Sequence, residues 1–219
     1  LLICGYPNNP TGAVADVAFM QRLARFGLER GVPIAHDNAY AELTYDGFVA
    51  PSFLASPDGI AAGIEIYSLS KSLNMPGWRV AFAVGNGAML QNLTRLKTNV
   101  DSGMFLALQR TAIAALALIP PFSAEMSAVY RRRRDLVCAA LARIGVVVEP
   151  PRGGIYVGAP TPPRVRSEVF ADRLLAEAGV VVGAGSSYGE HGEGYMRLSL
   201  TVPDDRLAEA LERIGTLYT

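Results

Sequence analysis

The 219-residue chain is half hydrophobic, carries 18% charged residues and has no net charge. That composition supports a sizeable core and offers no basic or acidic field to steer a nucleic acid, so no nucleic-acid partner is expected. Its two cysteines, Cys4 and Cys138, follow no pairing or metal-ligand pattern, so neither a disulfide framework nor a metal site is expected and a cytoplasmic location fits.

Along the chain, short apolar runs alternate with helical periods, the pattern of an α/β fold. Leu1–Cys4 reads as a strand. Asp16 is placed to cap a helix running to about Arg30, with Phe19, Leu23 and Phe26 on one face and Gly31 as the stop. Val32–His36, Ile64–Ser68 and Val80–Val84 read as further strands. Helices are expected at Gly87–Lys97 and Met104–Leu118, with Pro120 and Pro121 breaking the chain after them.

A long helix from about Ser123 to Ile144 leads into a second region. There strands at Val146–Val148, Ile155–Gly158, Val180–Val182 and Tyr195–Leu200 alternate with helices at Ser167–Ala178 and Pro203–Leu217. The expected division is residues 1–125 and 126–219. The longest apolar stretch, Thr111 to Ile119, is too short for a bilayer, and no signal peptide or membrane partner is expected. The basic run Arg131–Arg134 reads as a solvated helix face, and Trp78 as core.

The chemistry concentrates around one of only two lysines. Ile64-Glu65-Ile66-Tyr67 leads into Ser68-Leu69-Ser70-Lys71, and Asn74-Met75-Pro76-Gly77-Trp78-Arg79 follows. An amine just past a strand end, in a shielded pocket, can attack a carbonyl and form a Schiff base. Hydroxyls and a guanidinium beside it suit a phosphate. Together they point to pyridoxal 5'-phosphate (PLP). Asp37 and Tyr40 also follow a strand end, where ligands of open α/β sheets gather. His36 can tune Asp37, although a satisfied core histidine is the plainer reading.

Asn9-Pro10-Thr11-Gly12, Asp37-Asn38-Ala39-Tyr40, the Lys71 segment and Arg197-Leu198-Ser199-Leu200 occur in that order. The set resembles the fold-type I, class I/II aminotransferase family, from Pro7 to about Ile214. The resemblance implies part of a large PLP-binding domain, a mostly parallel sheet with helices on both faces, followed by a smaller α+β domain. It implies that Lys71 bonds the cofactor and then moves the substrate proton. Asp37 would pair with the pyridine nitrogen, and Asn9 and Tyr40 would bond the ring oxygen. Ser68, Ser70 and Arg79 would hold the phosphate. Arg197, arriving from the second region, and Asn9 would bind the substrate carboxylate. A cis Asn9–Pro10 bond and a homodimer are implied too, with Asn99–Gly103 contacting the partner's site.

The chain starts at Leu1 within a strand-like run, so it is expected to be a C-terminal fragment that alone binds PLP weakly. The family's glycine-rich phosphate loop and ring-stacking aromatic would lie upstream. Ala81, Ala184 and Gly158 depart from the pattern. Tyr45-Asp46-Gly47-Phe48, Pro51-Ser52-Phe53-Leu54 and Asn99–Phe105 resemble bacterial LL-diaminopimelate aminotransferases, which act with 2-oxoglutarate in lysine biosynthesis. Aspartate, alanine or succinyl-diaminopimelate aminotransferases, a β-eliminating C–S lyase and a PLP-fold effector domain are the alternatives.

Overall fold

The computed structural model describes residues 1–101 and 103–217. They divide into two compact units: Leu1–Asn8 with Ala13–Ser127, and Asn9–Gly12 with Ala128–Thr219. The short segment Asn9–Gly12, which chain order would give to the first unit, thus belongs with the second.

The first unit is built on a four-stranded sheet of order β1-β2-β3-β4, with β1 Leu2–Gly5, β2 Ile34–Asp37, β3 Gly63–Ser68 and β4 Ala81–Gly85. β1, β2 and β3 are parallel, and β4 returns antiparallel to β3. Helix α1, Val17–Arg30, is capped by Asp16, whose carboxylate accepts from the Phe19 N–H at 2.7 Å, and it stops at left-handed Gly31. Its buried stripe is Met20, Leu23, Ala24 and Gly27, while Phe26 is exposed. The stripe therefore sits one position away from the expected Phe19–Phe26 face. Gly27 explains the shift: a Cβ there would lie 2.9 Å from Ile34 Cγ1, so the glycine lets helix and strand close together.

Two one-turn helices, α2 (Gly59–Ala62) and α3 (Leu69–Ser72), flank β3. α4 spans Gly87–Val100 and α5 Leu106–Leu116. Leu69, Leu73, Val80 and Ala115 form a small core with Met104, Leu108 and Phe122 around them. α4 buries none of its residues, and Leu96, Val100, Phe105, Leu106 and Ile113 are exposed. The expected break occurs: α5 ends at Leu116 and the chain bends by 78° before the next helix, which takes in Pro120 and Pro121 rather than starting near Ser123. Both prolines lie in the first turn of α6, Ile119–Arg143, where a missing N–H costs nothing. Trp78 is exposed, in a tight turn at Pro76–Trp78, and is not core.

In the second unit, β5 (Tyr156–Pro160), β7 (Tyr195–Ser199) and β6 (Gly183–Ala184) form an antiparallel sheet of order β5-β7-β6. The rest of α6, α7 (Ser167–Arg173) and α8 (Asp204–Gly215) complete it. Two expected strands do not form. Gly145 and Gly179 are left-handed, and Val146 N–H and Val180 N–H bond back to Leu141 and Leu174. The valines after each glycine thus serve to terminate a helix, and Val147 and Val181 are exposed.

The arginine run is not simply a solvated face. Arg134 is buried, bonding the Pro151 carbonyl at 3.0 Å and the Asp135 carboxylate at 2.6 Å. Arg132 and Arg133 grip Asp204 at the start of α8, and Arg133 chiefly holds that carboxyl below the usual range. Among the described residues, no single helix is long and apolar enough to cross a membrane.

Candidate active site

The β2 and β3 ends lie side by side in the first unit. Asp37 is in register with Ile66, and the Asn38 N–H bonds the Ile66 carbonyl at 2.9 Å. Asp37 is exposed at its strand end, and one oxygen accepts from the Ala39 N–H at 3.1 Å, a local turn that points the chain onward to Tyr40. Tyr40 is buried.

At the β3 end, Ser68 caps α3 by accepting from the Ser70 N–H at 3.2 Å. Leu69 and Ser72 are buried and anchor that turn, so Ser70 and Lys71 stay half-buried on its open side. The Lys71 Nζ lies 5.9 Å from the centre of the Tyr40 ring. The Leu69 N–H bonds the Val80 carbonyl at 3.1 Å, and Ser68 is in register with Ala81. The β3–β4 pairing therefore returns Arg79 toward Ser68 and Ser70. Arg79 is left-handed at φ 55°, and its Nη1 donates to the Pro76 carbonyl at 2.9 Å. The amine, carboxylate, phenol, two hydroxyls and guanidinium are the donor set that PLP needs at its aldehyde, ring nitrogen, ring oxygen and phosphate.

Sequence reasoning missed the group beneath these turns. Glu65 is fully buried, and its carboxylate accepts from His36 Nδ1, Asn38 Nδ2, Ser52 Oγ, the Phe53 N–H and Tyr67 Oη at 2.6–3.2 Å. Burial opposes its ionisation, but the bonds from His36, Ser52, Phe53 and Tyr67 outweigh that and hold its pKa low. His36 is a core histidine, bonded to Glu65 rather than to Asp37. The signal available was a lone acid inside an apolar strand, Ile64-Glu65-Ile66.

In the second unit, Arg197 occupies the central strand β7, in register with Gly158 on one side and Gly183 on the other. Two tyrosines flank the guanidinium, whose carbon is 4.0 Å from the Tyr156 ring centre and 4.9 Å from that of Tyr188; a Cβ at Gly183 would press on Tyr188 Oη, at 2.8 Å. Nη1 donates to Asn9 Oδ1 at 2.9 Å, and Asn9–Pro10 is cis, as is Tyr6–Pro7, which was not expected. Arg197 Nε is buried without a partner. A planar cation held by two rings, with a buried donor left over, is prepared for a planar anion such as a carboxylate. Beside it lies a cavity of about 350 Å³ lined by Pro10, Thr11, Gly158, Tyr188 and Arg197 among others. The two tyrosines were not anticipated from sequence.

The model of the family described as aminotransferase class I and II matches residues 1–214. An LL-diaminopimelate aminotransferase of Moorella thermoacetica is 44% identical over 214 residues, covering 98% of this chain and 55% of that protein. One from Dehalococcoides mccartyi is 45% identical over 215 residues with the same coverage. Among solved structures, BacF of Bacillus subtilis superposes with a TM-score of 0.94 at 39% identity, over 99% of this chain and 56% of BacF. A probable N-succinyldiaminopimelate aminotransferase of Thermus thermophilus gives 0.93 at 35% identity, over 98% and 58%. The chain spans about half the length of the curated relatives it matches.

Proposed function

The chain belongs to the class I and II aminotransferase family, and on that premise we propose that the full-length protein transfers an amino group between LL-diaminopimelate and 2-oxoglutarate, as a cytoplasmic homodimer. The family is PLP-dependent. The carrying observation is the Lys71 turn between the Asp37–Tyr40 turn and Arg79; the LL-diaminopimelate aminotransferases of Moorella and Dehalococcoides support the choice of donor.

When bound, PLP supplies an aldehyde and an electron-withdrawing ring that acidifies the amino-acid Cα–H. Lys71 takes the proton from Cα through its amine and returns it at the other end of the transfer. Asp37 keeps a proton on the pyridine nitrogen. Tyr40 would donate to the ring oxygen, with Asn9 as the second candidate donor. Ser68 and Ser70 would hydrogen-bond the phosphate, and the Arg79 guanidinium would pair with part of its charge. Arg197 grips the substrate α-carboxylate with its planar fork, pre-oriented by Tyr156 and Tyr188.

The exposed apolar residues of α4 and α5 are proposed as part of the dimer surface. The segment Asn99–Gly103 is proposed to contact the partner's site; its Ser102 lies outside the described residues. The deciding assay gives the full-length protein LL-diaminopimelate with 2-oxoglutarate and follows glutamate formation. Turnover with aspartate, alanine or N-succinyl-diaminopimelate alone would move the substrate assignment to those branches. Pyruvate and ammonia release without 2-oxoglutarate would replace transfer with elimination. Retention of PLP with no turnover of any amino acid would favour an effector domain. A monomeric, fully active protein would remove the dimer.

A further inference from the structure

We propose that Glu65 is a positioning residue whose buried carboxylate sets the spacing between the Asp37–Tyr40 turn and the Ser68–Lys71 turn. The inference rests on the reading of those turns as a PLP site.

Glu65 sits mid-sheet, in register with His36 on β2 and Val84 on β4. Its side chain has no solvent exposure. A residue at this place needs only to fill space, and an apolar one would do so without the cost of burying a charge. The acid is instead used as an acceptor five times over.

The donors are not random core groups. His36 and Asn38 flank Asp37 in sequence, and Tyr67 directly precedes Ser68. Alternation along a strand sends His36 away from the face Asp37 uses, and the ordering of Asn38 fixes the turn that follows. His36 Nε2 and Asn38 Oδ1 make no hydrogen bond, so Glu65 is the acceptor that orients His36 and, together with Tyr67, one of the groups that orient Asn38.

Ser52 Oγ at 2.6 Å and the Phe53 N–H at 2.7 Å then lock the carboxylate from the side of the loop at 52–53. One anionic group thus ties the end of β2 to the end of β3. Those two ends carry the groups assigned to the ring nitrogen of PLP and to its aldehyde. A change in their separation alters the fit of a rigid ring between them.

The test uses full-length apoprotein, titrated with PLP and followed by absorbance and fluorescence. Glu65→Gln keeps the shape but turns one acceptor into a donor. It is expected to raise the Kd for PLP by about tenfold or more, to displace the absorption band of the bound cofactor, and to lower kcat more than it raises KM. Tyr67→Phe removes the hydroxyl that donates to Glu65 but leaves the carboxylate in place, and the ring keeps its stack on Phe82 at 5.4 Å. It is expected to weaken PLP by about threefold with little loss of Tm. Leu23→Ala, in the core under α1, is the comparator: Tm falls and the PLP Kd stays within about twofold.

If Glu65→Gln does not fold, Tyr67→Phe decides. Unchanged PLP affinity and spectrum in the folded variants would overturn the inference. So would an equal loss of affinity in Leu23→Ala, because the effect would then be general destabilisation. If the wild-type protein takes up no PLP, the cofactor reading fails and the inference fails with it; if wild type binds and the variants bind equally, only the inference fails.

Discussion

The guanidinium carbon of Arg197 lies 4.0 Å from the centre of the Tyr156 ring, and the register partner of Arg197 on that strand is Gly158. Gly158 lies two residues beyond Tyr156, on the same face of β5. The glycine leaves that face open, since an added Cβ would meet only the Pro10 carbonyl oxygen, at 3.9 Å.

Arg197→Lys keeps the charge but loses the planar fork and the stack between two rings. One charge-assisted bond is worth about 1.5–3 kcal/mol, so kcat/KM for the amino donor is expected to fall by roughly 10- to 150-fold. Steady-state kinetics against a series of donors measure it. A fall below twofold would remove Arg197 from the carboxylate site.

Gly183→Ala places a Cβ 2.8 Å from Tyr188 Oη and 3.5 Å from Arg197 Cβ. The tyrosine tip can move, so folding survives, but the ring is displaced from the guanidinium. KM is expected to rise by about three- to tenfold, the range of one cation–π contact. Gly185→Ala behaves differently, because its Cβ would run into the Gly192 and Tyr195 carbonyl oxygens. Thermal unfolding should show a loss of about 2–4 kcal/mol there and a smaller one for Gly183→Ala.

Borohydride treatment of the full-length protein with PLP is expected to fix the cofactor on Lys71. Within this stretch the only other lysine is Lys97, paired with Asp101 at 2.6 Å on an exposed helix face. Peptide mapping by mass spectrometry locates the adduct. An adduct on Lys97, or one surviving Lys71→Ala within this stretch, would contradict the assignment.

Glu65 makes stability depend on acid. Its folded pKa is depressed, so its contribution is full above the unfolded value of about 4.3 and is lost as pH falls through the folded pKa. Urea unfolding followed from pH 6 downward is expected to show stability falling over that window. In Glu65→Gln the same limb should be shallower. Equal acid limbs in both proteins would show that other carboxylates dominate.

Arg134→Ala removes a buried cation that serves the Pro151 carbonyl and Asp135. The cost is expected to be about 2–4 kcal/mol in urea unfolding, against less than about 0.5 kcal/mol for Arg131→Ala, which is exposed.

The sequence by itself determined the α1 boundaries, since Asp16 and Gly31 act within one turn of their own positions. It also determined the order of strands and helices in the first unit, because the apolar periods are local, and it placed Lys71, Asp37 and Arg79 next to strand ends. The tertiary structure alone decided what needs a partner distant in sequence. Val146–Val148 and Val180–Val182 have β propensity, but glycine caps fold them back onto their helices. Arg133 and Arg134 look solvated until Asp204 and the Pro151 carbonyl arrive. Glu65 reads as an oddity in an apolar strand until five donors from three chain segments surround it. Tyr156 and Tyr188 become clamps only when the fold sets their rings beside Arg197, with Gly183 leaving room for Tyr188. Capping and periodicity act over a few residues and are written in the chain; burial and cross-strand register bring together residues far apart in it, and no local pattern encodes them.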